Sequence, residues 1–221
     1  MAVADFHVHL KYSRDSFMSP KALVRTATKK GIDVVAVTDH DTLRGSFETL
    51  EIVKNGHSEI LIVPGVEVST TSGHVIGLFI QENIFSTNFV EVVEQVKKQD
   101  GLVVIPHPFK KSQKFDENEF AMADLFEALN GRATSKENEL AMSLGKRVNK
   151  PLVAGSDAHF SFELGRILTI LAWKPDDLDE LRKMLLSGCI VGIKGNLEVL
   201  TPRLAHILSF SLEMYRRIVG F

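Results

Sequence analysis

Short runs of valine, isoleucine and leucine alternate with amphipathic segments along almost the whole chain, and this constrains the fold more than any single residue. Strand-like runs fall at 2–7, 33–38, 60–68, 74–80, 102–106, 125–128, 151–155 and 167–173. Between them, helical spacing predicts helices at 21–30, 43–54, 88–99, 136–149 and 176–186, and a last one over about 201–219. The punctuation agrees. Ser19-Pro20 and Thr201-Pro202 open helices, and Gly31 and Gly188 close them. Runs that are apolar throughout belong to strands buried on both faces, the habit of a parallel sheet flanked by helices. Seven or eight such runs without a G-x-G-x-x-G motif favour a barrel over an open dinucleotide-binding sheet. No linker rich in glycine, serine or proline divides the 221 residues, so a single domain is expected.

Composition removes several function classes. At 44% hydrophobic and 24% charged, the chain is an ordinary globular one, with no apolar run near the ~20 residues that span a bilayer. Asp5 and His7 interrupt the N-terminal region before an apolar signal core forms, so a cytoplasmic protein without membrane contact is expected. A single cysteine, Cys189, excludes an internal disulfide framework and a thiolate metal cage, and reads as a small buried apolar residue. A net charge of -2 provides no bulk positive field for nucleic acid.

The chemistry lies in the histidines. Of eight, His7, His9, His40, His107 and His159 fall at or just past the C-terminal end of a predicted strand. In a barrel of parallel strands those ends share one rim, where loops assemble a site. Acids accompany them: Asp5, Asp39, Asp41, Asp157, and Glu67 at the end of its own strand. His74 opens the strand after Glu67 and reaches the same rim if the two strands form a hairpin. His7-Val8-His9 puts two imidazoles on one face, because strand side chains repeat every two residues. Imidazole and carboxylate in this number, without thiolate, suit Zn, Mn or Fe. His57 and His206 lie away from the rim and read as surface or packing residues. Lys11, Arg14, Arg44, Lys110 and Arg132 fall in predicted rim loops; Arg132, Lys110 and Arg44 are the candidates to hold a phosphate, with Arg132 preferred. Phe109, Phe160 and Phe162 follow the histidine motifs and are candidates to stack on a ring of the substrate.

D-F-H-V-H, T-D-H-D-T, P-G-V-E-V-S, H-V-I-G-L, I-P-H-P and G-S-D-A-H occur here in that order, from about Ala4 to Ile170. This resembles the PHP (polymerase and histidinol phosphatase) superfamily, specifically its small stand-alone metal-dependent phosphoesterases. The resemblance implies an α/β fold, a distorted (β/α)7 TIM-like barrel, with two or three divalent ions at the C-terminal rim. Carried over by motif, it implies that His7, His9, Glu67 and Asp157 hold a first ion. Glu67 would bridge to a second, completed by His74 and His107. Asp15, His40 and His159 would hold a third, although the stretch after His9 is one residue longer than the family's usual H-S-x-x-S-D-G. Asp5 and Asp39 would orient the ligating imidazoles from behind. Glu67, His159 and His40 would carry the catalytic roles.

The implied activity is hydrolysis of a phosphate ester of a small metabolite or nucleotide by a metal-bound hydroxide. A small phosphorylated substrate is expected, and long duplex nucleic acid is not. A histidinol-phosphatase-like monoesterase is one alternative. An amidohydrolase also begins with H-x-H on a barrel strand, but no lysine ends the strands at 60–68 or 102–106 to bridge its metals. A non-catalytic or RNA-processing PHP-like subunit is another, and degenerate scaffolds usually lose ligands that this chain retains.

Overall fold

The computed structural model describes residues 1–111, 113–195, 209–214 and 216. In chain order these form β1 (Ala2–Val8), α1 (Pro20–Lys30), β2 (Val34–Val37), α2 (Arg44–Asn55), β3 (Leu61–Ser69), β4 (His74–Leu78), α3 (Phe89–Lys97) and β5 (Leu102–Ile105). There follow α4 (Glu117–Met122), β6 (Leu125–Asn130), α5 (Ser135–Val148), β7 (Leu152–Gly155), β8 (Ile167–Leu171), α6 (Leu178–Leu186) and β9 (Ile190–Gly195). Residues 209–214 and 216 are also helical; the rest of the helix expected at 201–219, with His206, lies outside the described residues.

Local chemistry sets the helix ends. The Ser19 hydroxyl accepts from the Ala22 amide, and Gly31 adopts φ 64°, where its amide reaches the last carbonyls of α1. Thr134 and Glu137 cap α5 reciprocally, and Asp116 and Glu119 do the same for α4, a short helix that periodicity did not predict.

The nine strands form one sheet in the order β7-β6-β5-β4-β3-β2-β1-β8-β9. It is mixed, where a parallel sheet was expected: β4, β8 and β9 each pair antiparallel with their neighbours. An apolar run reads the same in either direction, so composition could not reveal this. The sheet curls until β1 returns to β7, where Val8 bridges Ala158 and the His9 amide donates to the Ala158 carbonyl. Closure needs Gly155: a Cβ there would lie 2.4 Å from the His7 Cβ.

Residues from β1 through β8, including Ala4, Phe6, Val34, Val63, Leu102 and Leu125, fill the interior, joined by Leu181, Met184 and Leu185 of α6. Two outer clusters pack α1 and α3 against the sheet. β1 changes face part-way. Ala4 and Phe6 point into the barrel core, whereas Val8 and Leu10 pack outward with Leu23 and Ala27 of α1. The switch coincides with a register irregularity between Asp5 and Val8, and it turns His7 and His9 inward.

Candidate metal centre

Each ligand candidate sits where a strand ends on one rim. β1 delivers His7 and His9, the turn after β2 delivers His40, and β3 delivers Glu67. Because β4 runs antiparallel to β3, its first residue, His74, pairs with Ser69 and returns to the same rim. His107 follows β5 at φ 29° between two prolines, and Asp157 follows β7 at φ 52°. Both are strained for non-glycine residues, and such strain gathers at functional sites. Asp15 comes from the loop after β1, and its carboxylate lies 2.8 Å from the His159 Nε2.

The centre of the arrangement is Glu67, whose side chain is 2% exposed and whose two oxygens face different groups. Its Oε1 is 3.0 Å from the His74 Nδ1 and 3.1 Å from the His107 Nε2. Its Oε2 lies 3.2 Å from the His40 Nδ1, 3.3 Å from the His9 Nε2 and 3.5 Å from the His7 Nε2. Asp157 Oδ1 closes the group at 3.6 Å from His7 and 3.5 Å from His9. Among the described residues, three sets of donor atoms come close enough to share an ion: His7, His9 and Asp157; His7, Glu67 and His107; His9, His40 and His159.

Hydrogen bonding behind the rings tests whether these residues fit divalent ions. The His7 Nδ1 donates to the Glu127 Oε1 at 3.0 Å, which leaves a lone pair on its Nε2. The His9 Nδ1 faces the Ser13 hydroxyl at 3.1 Å, and that hydroxyl donates to Asp39. His9 therefore also presents a lone pair at Nε2, and the two Nε2 atoms stand only 3.0 Å apart. The His159 Nδ1 donates to the Asp157 carbonyl, so its Nε2 lone pair meets the Asp15 carboxylate. Lone pairs aimed at each other or at a carboxylate repel unless a cation lies between them. Ligands held ~2.0–2.2 Å from one ion stand about 3.3–3.6 Å apart in a tetrahedron, close to the spacing around His7, His9, Glu67 and Asp157. Among the described residues, the buried Asp15 Oδ1 also lacks a hydrogen-bond partner. The donor set fits.

Electrostatics agree. Burial works against charge on His7, but Asp157, Glu127 and Glu67 outweigh it and hold the ring well above its ordinary pKa. Burial opposes charge on Glu67 and Asp157 too, yet the facing histidines, with Lys110 beside Asp157, pull both well below the carboxylate range. Burial takes His159 down to about 3, helped by His9 and Arg132, and His107 to about 4, helped by Lys110. The pocket thus favours positive charge between anionic carboxylates, which divalent ions supply.

The expected site residues converge, with corrections. Asp15, His40, Glu67, His74, His107, Lys110, Arg132, Asp157 and His159 line a cavity of about 290 Å³, and the buried His7 and His9 rings lie within 3.6 Å of its Glu67 and Asp157. Lys110 donates to Asp157 Oδ2 at 2.8 Å. Arg132 is buried and pairs with Glu163 at 3.1 Å and with the Ser209 hydroxyl, so it is a fixed charge rather than a solvated one. Arg44 does not line the cavity: as the first residue of α2 it is exposed and lies over the Tyr12 ring. Asp5 does not orient an imidazole; it accepts from Ser156 and Gly165 and ties β1 to the segments after β7. Phe109 packs against an apolar cluster. Sequence reasoning missed Glu127, which holds His7 and the His107 amide, and Ser13, which links Asp39 to His9. It also missed that Ser209, Phe210 and Glu213 line the cavity. The one early signal for Glu127 was a lone acid inside the apolar run at 125–128.

The PHP domain family model matches residues 5–171. An uncharacterised protein of Methanocaldococcus jannaschii is 42% identical over 117 residues, covering 48% of this chain and 67% of that one. The 5′-3′ exoribonuclease Rnm of Escherichia coli is 33% identical over 80 residues, 34% of this chain but only 27% of the enzyme's length. Among solved structures, a two-domain protein of Bacteroides vulgatus containing a predicted PHP-like metal-dependent phosphoesterase superposes with a TM-score of 0.77 at 19% identity. That match covers 95% of this chain and 69% of the other.

Proposed function

Because the chain belongs to the PHP domain family, we propose that it is a metal-dependent hydrolase of phosphate esters, acting on a small phosphorylated metabolite or nucleotide. The observation that carries this reading is Glu67, buried, with each carboxylate oxygen turned to a different group of histidines. Such a carboxylate suits two ions about 3.5–4 Å apart. Two or three divalent ions of the Zn, Mn or Fe kind, when bound, lower the pKa of water and offset charge on phosphoryl oxygens.

The chain's own residues do the rest. His7, His9, Glu67 and Asp157 would hold one ion, Glu67, His74 and His107 a second, and Asp15, His40 and His159 a third. Lys110 and Arg132 line the cavity and supply fixed positive charge for the substrate phosphate. Burial of Arg132 against Glu163 removes the entropy cost of ordering a long side chain on binding. Burial keeps His159 neutral, so its Nε2 offers a lone pair to an ion rather than a proton to the substrate. With a net charge of -2 and only Lys110 and Arg132 as cations among the described residues that line the cavity, small substrates are favoured over long duplexes.

The exoribonuclease match favours a second reading, removal of nucleotides from the 5′ end of an RNA. One experiment separates them. The purified protein is analysed for metals, chelated, reloaded, and assayed on a panel of phosphomonoesters, nucleotides and labelled single and double strands. Two to three ions per chain with turnover of small esters supports the first reading. Turnover confined to single strands selects the second, and no metal with no metal-dependent turnover overturns both.

A further inference from the structure

We infer that Phe17, Phe160 and Phe162 form a ledge beside the metal cavity that stacks the base of the substrate, making the substrate a nucleobase-bearing phosphate ester. The inference rests on the phosphoesterase reading above and narrows its substrate class.

The Phe160 and Phe162 rings are stacked, 5.4 Å between centroids and 9° between planes, and Phe17 joins them 6.2 Å from Phe160. Phe17 is 59% exposed and Phe162 49%. A core would bury these rings. Isolated exposed apolar residues need no explanation, but contiguous aromatic ones do; none of the three lines the metal cavity itself, and they join it through the segments that carry Asp15 and His159. The ledge also belongs to the site covalently. Phe160 follows His159 directly, Phe17 lies two residues after Asp15, and the Phe17 amide donates to the His159 carbonyl. At ~3.8 Å per residue, the rings begin within one nucleotide's length of the ligands.

Its footing is rigid. The buried Glu163 carboxylate accepts from the His159 and Phe160 amides while pairing with Arg132. Arg216 donates to the carbonyls of Ser13 and Ser16, which bracket Asp15, and lies 5.4 Å over the Phe17 ring. The two ring-bearing segments are therefore fixed before any ligand arrives. A preorganised stack of parallel rings is what a flat heteroaromatic base extends, and such stacking tolerates any base because every base has a π-face. The phosphate of the same molecule would meet Lys110 and Arg132 in the cavity.

The test uses a matched pair, adenosine 5′-monophosphate and ribose 5-phosphate, bound to the manganese-loaded protein by calorimetry. The pair differs only in the base. Wild type should bind the nucleotide more tightly, and in Phe17→Leu and Phe162→Leu the affinity ratio should fall about ten-fold. Both positions are exposed, so the fold should survive, and Phe85→Leu, 87% exposed elsewhere, should keep the wild-type ratio. An unchanged ratio in the ledge variants, equal weakening of both ligands, or no nucleotide preference in wild type would each overturn the ledge. So would a ledge substitution that splits a dimer in sedimentation without touching the ratio, since the rings would then be an interface between copies. Turnover of base-free esters distinguishes the two claims: if it persists without a nucleotide preference, the ledge fails and the hydrolase reading stands. If no ester is turned over but the ratio behaves as expected, the hydrolase reading fails and the ledge stands.

Discussion

The two halves of the metal centre are built differently. On the inner side, His7, Glu67 and His107 have side chains no more than 2% exposed, and they stand at the ends of β1, β3 and β5. Glu127 on β6 braces them, bonded to the His7 ring and the His107 amide. On the outer side, Asp15, His40 and His74 are 22%, 27% and 31% exposed. Asp15 and His40 sit on loops, and Asp15 depends on the Ser13–Ser16 turn for its position. The strand-borne half is shielded from water, whereas the loop-borne half is open to it and its charges are screened. Metal affinity should follow the same gradient.

The largest expected effect tests what joins the halves. Glu67→Gln removes the charge that both sides share, so it should cost at least a hundred-fold in kcat and lower the bound metal by more than one ion per chain. Loss of a single ion with near-normal turnover would show that Glu67 serves one half only. Next comes the inner side alone. Glu127→Gln turns an amide N–H towards the His7 Nδ1 or the His107 amide and frees the His7 tautomer. Affinity for the tightest ion should fall about 10–100-fold, the usual cost of removing a carboxylate behind a ligating histidine. If metal titration shows the weakest ion lost first, the inner half is not the tighter one.

The same division separates what sequence could reveal from what it could not. Strand-end histidines with nearby acids were legible because local spacing places them: period two for His7 and His9, and a hairpin for Glu67 and His74. Glu127 was not, because its partner His7 lies 120 residues away and only barrel closure brings them together. Nor was the face His7 and His9 occupy. Strict alternation from Ala4 and Phe6 would have sent them outward, and the irregularity in β1 that reverses this carries no compositional mark. Arg132 reads as a surface charge until the turn at Glu163 and the hydroxyl of Ser209 are in place. The directions of β8 and β9 depend on how their connections route the chain, which hydrophobic pattern does not encode.

A smaller effect is expected from the outer side. Asp15→Asn removes a carboxylate that faces the His159 Nε2 and approaches His40. It should release the weakest ion and reduce turnover roughly ten-fold, the scale of losing one positioned charge, while the tight ions stay bound. The check is metal content by mass spectrometry beside steady-state kinetics. Release of every ion from Asp15→Asn would erase the distinction between halves.

The gentlest test compares chelated and loaded protein across pH. Burial opposes charge on His9, but bonds to Asp157 and Glu67 prevail and raise its pKa to about 9, and His7 is displaced in the same direction. Without metal, a proton on these rings takes the place of the ion between the carboxylates. A folded-state pKa above the unfolded value of 6.5 gives stability that is complete below about pH 6.5 and is lost as pH rises through about 9. The Tm of the chelated protein should therefore decline over that window. In the loaded protein the ring nitrogens are occupied by ions rather than protons, so its Tm should stay flat there, and the benefit of metal should grow with pH. His159, held near 3 by burial, His9 and Arg132, is neutral in the fold throughout. It therefore adds stability only while the unfolded ring loses its proton near 6.5, and contributes almost no slope at the upper end of the window, equally in both forms. Calorimetry at pH 6.5, 8 and 9 with and without chelator measures the difference, and parallel slopes for the two forms would mean that His7 and His9 do not share the ion that replaces their proton.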